Sequence, residues 1–217
     1  MKQFVVIGCG RFGTSVAKTL YNQGYDVLAI DSSEEIVQEI SDSVTYAAQA
    51  DVEDEHALKS LGIRNFDVAV ISIGSNIQAS IMATLIVKEM GVKTVIAKAQ
   101  NDVHAKVLYK IGADKVVFPE RDMGVRVAHN LVSPNILDYI ELSQDYSIAE
   151  ISSISDWENK PLKELKLPTK YGINVMAIKQ NDTMNVSPKA DDVIKPGDVL
   201  VVLGNNKDLS DLEKKVN

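Results

Sequence analysis

The sequence predicts an α/β protein in which a doubly wound parallel sheet is followed by a smaller α+β domain. Apolar runs such as VAVISI alternate with amphipathic stretches through the first part of the chain. Parallel strands buried on both faces read as continuous apolar runs, and helices cover both faces of such a sheet. A glycine-rich turn joins the first apolar run to the first amphipathic stretch. After about Tyr146 the strands become short and the turns closely spaced, which indicates a second domain.

The larger domain is predicted element by element from these two patterns. Its strands are expected at residues 4–7, 26–30, 44–47, 67–73, 94–97 and 115–118. Its helices are expected at residues 12–22, 33–41, 53–60, 77–90, 102–111 and 122–131. Ser32 or Ser33 is expected to cap the second helix and Asn76 the fourth, because their side-chain oxygens can accept from the unpaired N–H groups of a first turn.

The segment Ser133-Pro134-Asn135 breaks this alternation, and residues 136–142 predict one or two further helical turns. Beyond them, strands are expected at residues 147–151, 173–179 and 200–203, a helical turn at 161–165 and a helix at 208–215. Lys195-Pro196-Gly197-Asp198 orders proline and glycine as a type II turn requires. We therefore expect one domain over residues 1–133, ending in a crossover helix at about residues 120–132, and a second domain over residues 134–217.

Composition argues against several classes of protein. A net charge of −7 over 217 residues disfavours binding to nucleic acid, which requires cationic side chains against the phosphates. The apolar runs are all shorter than the ~20 residues of a membrane helix, so we expect no direct membrane insertion and any membrane role through a partner. Cys9 is the single cysteine, expected to be a small packing residue, and no signal-like N-terminus is present. Both features predict a cytoplasmic protein.

The turn Gly8-Cys9-Gly10-Arg11-Phe12-Gly13 follows the first strand and opens the first helix. In that context the first glycine permits a tight turn, the second lets backbone approach a pyrophosphate, and the third lets helix and strand pack closely. The free N–H groups at the start of the helix attract phosphate. The spacing therefore predicts a nucleotide-binding site. Arg11 lies at its mouth and either adds a positive charge there or faces solvent or a neighbouring subunit.

A carboxylate completes the motif at the end of the second strand, where Asp31 lies 18 residues after Gly13. It can accept from both ribose hydroxyls and would repel a 2′-phosphate, so NADP is disfavoured. NAD, ATP, ADP and AMP share the adenosine ribose and its phosphate. The motif therefore does not choose among these four nucleotides.

The sequence lacks the motifs expected of an enzyme on this fold. No tyrosine is followed by lysine four residues on, and neither a Gly-x-x-x-x-Gly-Lys loop nor a Gly-x-Ser-x-Gly elbow occurs. His56, His104 and His129 lie far apart in the sequence and are expected on helix surfaces. We therefore predict a binding protein rather than an enzyme. An NAD-dependent oxidoreductase or an NAD(H)-sensing redox regulator is the alternative.

Six stretches extend over essentially the whole chain, in the order IGCGRFGTSVAKTL, AIDSSEE, AQADVEDEHALKSLGIRNFDVAVISIGSN, KAQN, IGADKVVFPERDMG and IKPGDVLVVLG. In these stretches the sequence resembles the RCK (or KTN) family, and within it the KtrA-type regulatory subunits of bacterial potassium uptake, related to TrkA. The resemblance implies a Rossmann-like RCK N-terminal domain and an RCK C-terminal domain. It also implies a homodimer that assembles into an octameric ring beneath a KtrB-type membrane potassium transporter subunit, peripheral at the inner face of the cell membrane.

The resemblance further implies that ATP and ADP bind the glycine cradle and set different ring shapes, with ATP favouring the active state. It assigns nucleotide binding to Gly8, Gly10, Arg11, Phe12, Gly13, Asp31, Ser32, Asp51, Val52, Gly74, Asn76, Lys98 and Glu120. Lys98 would meet the distal phosphates, or be an ordinary strand-end lysine. Glu120 would approach the γ-phosphate and help to hold a divalent cation, Mg²⁺ or Ca²⁺, or else be an acid that suits a helix N-terminus.

In some members of the family the C-terminal domain binds cyclic di-AMP at a dimer interface, and for this chain the resemblance implies inhibition of uptake. The matching residues are Leu162, Ile173, Asn174, Val175 and Pro188. The apolar members of this set would sandwich the adenines, and Asn174 would bond a base edge or a phosphate. The same apolar side chains equally suit core or dimer-contact positions, so both interpretations stay open.

Overall fold

The computed structural model describes residues 2–132, 136–143, 145–181 and 183–216. The chain divides into two compact units, Met1–Glu120 and Arg121–Asn217. The predicted domain boundary at residue 133, with the break at Ser133-Pro134-Asn135, lies outside the described residues.

The first unit is built on a six-stranded parallel sheet. Its strands are β1 (Gln3–Ile7), β2 (Asp26–Asp31), β3 (Tyr46–Gln49), β4 (Val68–Ile71), β5 (Thr94–Lys98) and β6 (Lys115–Val117). They pair in the order β3-β2-β1-β4-β5-β6, and every pair is parallel. The order reverses between β1 and β4, so the carboxyl ends of these strands open the crevice in which ligands of such sheets bind.

Helices follow these strands at nearly the expected positions, and the last of them continues past the end of the first unit. They are α1 (Arg11–Asn22), α2 (Glu34–Ser41), α3 (Glu55–Ser60), α4 (Ile77–Glu89), α5 (Asp102–Lys110) and α6 (Pro119–Val132), with a 3₁₀ turn at Ile63–Asn65. The side chain of Ser33 accepts from the backbone N–H of Ile36, and that of Asn76 from the backbone N–H of Ala79. Both predicted caps are therefore confirmed, Ser33 being the residue that caps α2.

The third strand begins two residues later than the sequence predicts. The backbone N–H of Val27 donates to the hydroxyl of Thr45 at 2.9 Å, so a side chain takes the place of a ladder bond at this point. Backbone pairing with β2 starts one residue on, with Leu28 opposite Tyr46.

Apolar side chains of the sheet enter two separate clusters, one on each face. Val5 and Ile7 of β1 join a cluster with buried residues of α3, α4 and α5. Val6 joins a second cluster with Ala17 of α1 and Ile40 of α2. Since successive side chains of a strand point to opposite faces, this division confirms the prediction of a doubly wound sheet covered by helices on both sides.

The second unit contains a five-stranded antiparallel sheet with short helices. Its strands are β7 (Ile136–Glu141), β8 (Tyr146–Ser152), β9 (Ile173–Gln180), β10 (Thr183–Asn185) and β11 (Val199–Asn205), and its helices are α7 (Leu162–Leu165), α8 (Leu167–Tyr171) and α9 (Asn206–Val216). The strands lie in the order β10-β9-β11-β8-β7. The predicted type II turn is confirmed, because Gly197 has a φ of +83° and the Asp198 N–H donates to the Lys195 carbonyl at 3.1 Å. The α8 helix and the β10 strand were not predicted.

The expectation of helical turns over residues 136–142 is wrong. Residues 136–141 form the edge strand β7, which pairs antiparallel with β8 and sets Ile140 opposite Ile148. A short segment takes its conformation from the partner with which its backbone can bond, and β8 offers that partner. Within the described residues no helix is both long and apolar enough to cross a membrane.

Asp114 ties three elements of the first unit together. Its carboxylate accepts from the backbone N–H of Val95 on β5 at 2.7 Å and from the ammonium of Lys88 on α4 at 3.0 Å. The bond from the Val95 N–H, helped by Lys88 and opposed by partial burial, holds the pKa of Asp114 below its ordinary value. The carboxylate therefore stabilises the fold above about pH 4, the pKa of an unfolded aspartate, and this stabilisation is lost as the pH falls through the lower folded value.

We expect Asp114→Asn to lower the free energy of unfolding at pH 7. Below about pH 4 this free energy should fall less steeply with decreasing pH than in the wild type. Urea unfolding across that pH range measures both effects. Asp42→Asn is the matched control, because Asp42 is exposed and accepts no hydrogen bond through its side chain from the described residues. If the free energy of unfolding falls equally steeply with decreasing pH in Asp114→Asn and in the wild type, the stabilising role of the Asp114 carboxylate is contradicted.

Candidate functional site

The crevice between the carboxyl ends of β1 and β4 holds a cavity of about 570 Å³ in the first unit. Of the residues that the family resemblance assigns to nucleotide binding, all but Gly13 line it: Gly8, Gly10, Arg11, Phe12, Asp31, Ser32, Asp51, Val52, Gly74, Asn76, Lys98 and Glu120. The fold therefore brings residues from six separate loops and strand ends around one space.

The glycine turn shapes the floor of the cavity. Gly8 has a φ of +90°, a conformation that favours glycine. A side chain at Gly13 would overlap the Gly8 carbonyl oxygen and the Ser72 hydroxyl, so Gly13 lies beneath the cavity as a packing residue. A side chain at Gly10 would meet nothing within 4 Å. The open space at Gly10 is the room that a close ligand needs.

The first turn of α1 faces this space without a side-chain cap. Gly10 is the N-cap residue and offers no side-chain oxygen to the first N–H groups. These groups are free donors at the positive end of a helix dipole, an arrangement that attracts phosphate. Arg11, exposed at the start of α1, forms no ion pair with any described residue and adds a full positive charge to this end of the helix.

Asp31 lies at one end of the cavity and is held by backbone donors. One carboxylate oxygen accepts from the N–H of Cys9 at 2.7 Å and the other from the N–H of Ser33 at 3.0 Å. Each oxygen keeps a further lone pair, so the carboxylate is oriented and can still accept. Burial, reinforced by the charge of Asp31, raises the pKa of the Cys9 thiol to about 12. Cys9 is 4% exposed, which confirms it as a packing residue.

An ion pair lies at the other end of the cavity, because Lys98 ends β5 and Asp31 ends β2, with β1 and β4 between these strands in the sheet. The Lys98 ammonium donates to the Glu120 carboxylate at 2.5 Å, the lysine being 12% exposed and the glutamate 70%. This hydrogen bond, together with the charges of Lys98 and Arg11, keeps the pKa of Glu120 below its ordinary value. Gln100, two residues after Lys98, donates through its side-chain amide to the carbonyl of Gly74. The β4–α4 and β5–α5 loops are therefore joined at this end.

Sequence reasoning missed part of the lining. Ile36, Glu53, Ser72, Ile73, Ser75 and Ala79 also border the cavity. Three of these belong to the same SIGSN segment as Gly74 and Asn76, so their position in one loop was the available signal. The apolar Ile36 lies in the first turn of α2, and no sequence motif includes it.

The described residues of one chain do not provide a complete donor set for a metal. Among the described residues no three His, Cys, Asp or Glu side chains are grouped so as to hold a metal ion. Glu120 offers a single carboxylate, and that carboxylate is already bonded to Lys98. A cation at Glu120 would need most of its ligands from a bound nucleotide or a second protomer.

A second cavity, of about 290 Å³, lies in the second unit between α7, α8 and β9. Four of the residues matched to cyclic di-AMP binding line it: Leu162, Asn174, Val175 and Pro188. Ile173 does not, because it is 0% exposed and packs in the core against Gly204 and Leu209. Lys163 and Lys189 also border the cavity, and neither cation was predicted from the sequence.

The histidines differ in their environments. His56 is exposed on α3, as expected. His104, expected on a helix surface, is 3% exposed in the first turn of α5, because that turn packs inward. The side chain of His129 lies outside the described residues.

The fold and the cavity define a Rossmann-like nucleotide-binding unit followed by a small α+β unit. The TrkA-N domain model matches residues 4–119 and the TrkA-C domain model residues 147–217. The Ktr system potassium uptake protein C of Bacillus subtilis is 51% identical over 99% of this chain and 97% of its own length. The Ktr system potassium uptake protein A of Vibrio alginolyticus is 37% identical over 99% of this chain and 98% of its own.

Solved structures agree with this fold. The RCK domain of GsuK superposes with a TM-score of 0.69 at 16% identity, covering all of this chain and 48% of the other. The chain belongs to the family of Ktr system potassium uptake proteins with TrkA-N and TrkA-C domains, which confirms the resemblance to RCK regulatory subunits.

The two glycines Gly13 and Gly10 are expected to differ in how an added methyl group affects stability and nucleotide binding. We expect Gly13→Ala to destabilise the protein by about 3 kcal/mol, because its methyl group meets backbone that cannot move away. Gly10→Ala should cost at most about 1 kcal/mol and should weaken nucleotide binding, because its methyl group enters the cavity. Thermal unfolding and nucleotide titration of the two variants check this, and equal stabilities would contradict it.

Proposed function

We propose that this protein is the regulatory subunit of a potassium uptake system and that it senses adenine nucleotides in the cavity of its first unit. One observation carries the proposal: an oriented carboxylate, Asp31, and a cationic group, Lys98, lie at opposite ends of the same space, with the free start of α1 between them. This order of charges matches a nucleoside with a chain of phosphates. The absence of catalytic motifs supports a sensor rather than an enzyme.

In the proposed orientation the ribose hydroxyls donate to Asp31, and the adenine lies beside Ser32, Asp51 and Val52. The first phosphates meet the free N–H groups at the start of α1. The distal phosphates extend towards Arg11 and Lys98. The named side chains all border the cavity.

Discrimination between ATP and ADP has to arise where the γ-phosphate lies, because a ligand shifts an equilibrium only by its different affinity for the two states. Lys98 is bonded to Glu120 in this structure. A γ-phosphate would compete with Glu120 for that ammonium, and the released carboxylate could then join the phosphates in holding Mg²⁺ or Ca²⁺. Glu120 lies in the first turn of α6, which continues into the second unit, so the change would begin on the helix that connects the two units.

The partner of such a subunit would be a membrane potassium transporter of the KtrB type, in keeping with the names of the relatives. We propose a homodimer that builds an octameric ring, located in the cytoplasm and attached to the inner face of the membrane through that transporter. Light scattering of the purified protein reports the mass of the ring.

We expect ATP and ADP to bind with micromolar affinity, and NAD or NADH to bind much more weakly. Calorimetric titration with each of the four nucleotides, with and without Mg²⁺, measures this directly. A preference for NAD or NADH would instead favour a redox sensor or an oxidoreductase, because Asp31 suits the ribose of either class.

We expect Lys98→Met to weaken ATP binding about tenfold, the value of a hydrogen bond to a charged group, and ADP binding far less. Its physical cause is the loss of the ammonium that the γ-phosphate would meet. Lys93→Met, an exposed lysine of the same unit, is the matched control and should leave both affinities unchanged. An equal loss of ATP and ADP affinity in Lys98→Met would contradict γ-phosphate sensing at this residue.

The second cavity is proposed to bind cyclic di-AMP and to inhibit uptake. Its volume of about 290 Å³ suits one adenosine half of the ligand, so a symmetric dinucleotide would bridge two copies. Leu162, Val175 and Pro188 would contact adenine, while Lys163 and Lys189 would balance the phosphates. Lys163 is bonded to Asp191 at 2.5 Å, and a phosphate would have to compete for it.

We expect Asn174→Ala to weaken cyclic di-AMP binding about fivefold, because a polar contact inside the cavity is lost. Met176→Ala lies on the same strand but outside the cavity and serves as the control. Calorimetry with cyclic di-AMP distinguishes the two variants. Absence of binding to the wild-type protein would show the cavity to be structural.

A further inference from the structure

His104 is a buried imidazole with one bonded and one unbonded nitrogen. Its Nδ1 accepts from the backbone N–H of Gln100 at 3.3 Å. Its Nε2 is enclosed and has no hydrogen-bond partner among the described residues. A buried polar group without a partner costs about 1–3 kcal/mol, so the buried position of this imidazole requires a physical reason.

The bond to Gln100 determines the state of the imidazole. A nitrogen that accepts an N–H carries no proton, so the proton of the neutral ring is on Nε2. Burial lowers the pKa of His104 below its ordinary value, and the ring is therefore neutral at physiological pH. The unbonded Nε2–H is the consequence of keeping Nδ1 as an acceptor.

Gln100, whose backbone N–H bonds to His104, also contacts the lining of the nucleotide cavity. The side-chain amide of Gln100 donates to the carbonyl of Gly74, and Gly74 borders the cavity. Lys98, two residues before Gln100, bonds to Glu120. The backbone between them is fixed by the Ala99 N–H, which donates to the Val117 carbonyl at 3.0 Å.

We propose that His104 is a positioning residue for the distal end of the nucleotide site, acting through Gln100 on the Gly74 loop. The inference rests on the proposed function, since it assigns a role in receiving the outer phosphates. The imidazole itself does not border the cavity, so its effect on a ligand has to pass through Gln100.

The helix that carries His104 does not depend on its ring. Asn101 caps α5, its side-chain oxygen accepting from the backbone N–H of His104 at 2.9 Å. This bond uses only the backbone of residue 104 and survives any substitution there except proline. Substitutions at His104 can therefore test the acceptor while α5 keeps its first turn.

Two variants of similar shape distinguish the loss of the hydrogen-bond acceptor at residue 104 from the loss of side-chain volume. In His104→Asn the side-chain oxygen takes the place of Nδ1 and can accept from Gln100, whereas His104→Leu offers no acceptor. We expect His104→Leu to weaken ATP binding about three- to tenfold, the range for one hydrogen bond, and AMP binding less than twofold. His104→Asn should bind ATP within about twofold of the wild type.

A double-mutant cycle tests whether the effect passes through Gln100. Gln100→Met removes the amide that reaches Gly74 and keeps the length of the side chain. If His104 acts through Gln100, adding His104→Leu to Gln100→Met should cause little further loss of ATP affinity. Fully additive losses, or a His104→Leu variant that binds ATP as the wild type does, would overturn the inference.

Amide hydrogen exchange of residues 72–76 in the nucleotide-free protein is the second measurement. Faster exchange there in His104→Leu, reversed in His104→Asn, is the expected result. Unchanged exchange of these residues would overturn the inference about His104, whether or not the protein binds nucleotide. Failure of the wild-type protein to bind any adenine nucleotide would instead refute the proposed function. If His104→Leu fails to fold, Gln100→Met alone should speed the exchange of residues 72–76. Exchange as slow as in the wild type would refute the role of Gln100 in holding the Gly74 loop.

Discussion

The close approach of α1 to the centre of the sheet is the constraint on which the site depends. Gly13 lies against the Gly8 carbonyl and the Ser72 hydroxyl, and no side chain fits between them. The Ser72 hydroxyl donates to that same carbonyl at 2.5 Å, which joins the ends of β1 and β4. Because α1 can pack this close to the sheet, its unpaired N–H groups lie at the carboxyl edge of the sheet. The loops after β2, β4 and β5 meet at the same edge.

Predictions from the sequence succeeded where the signal was local. The glycine turn and the caps at Ser33 and Asn76 each follow from a few adjacent residues, and Asp31 follows from its place at the end of the second strand. The β7 strand could not be predicted in this way, because its conformation depends on pairing with β8. For Ile173 a core position was one of two interpretations that the sequence left open, and the structure selects it because Ile173 packs beside Gly204.

The same limit applies to the contacts that complete the candidate site. The pairing of Lys98 with Glu120 joins residues 22 positions apart, and each alone reads as an ordinary strand-end lysine or helix-start acid. His104 looks like a surface residue in a short amphipathic helix, and only the packing of α5 buries it. Positions of residues in the cavity were therefore predictable from the glycine motif and the family resemblance, whereas their hydrogen-bond partners were not.

The two ends of the cavity are held by different kinds of bond. Asp31 is oriented by two backbone N–H donors, which belong to the rigid glycine turn and to the start of α2. The opposite end is held through side chains: Lys98 to Glu120, Gln100 to Gly74, and His104 to Gln100. Side-chain bonds can be exchanged for bonds to a ligand without unfolding a strand or a helix. In the proposed orientation the Asp31 end would bind the adenosine that ATP and ADP share, while the Lys98 end would change with the number of phosphates. A sensor of nucleotide state needs this asymmetry, because a cavity that was rigid at both ends would bind the two nucleotides without a differing response.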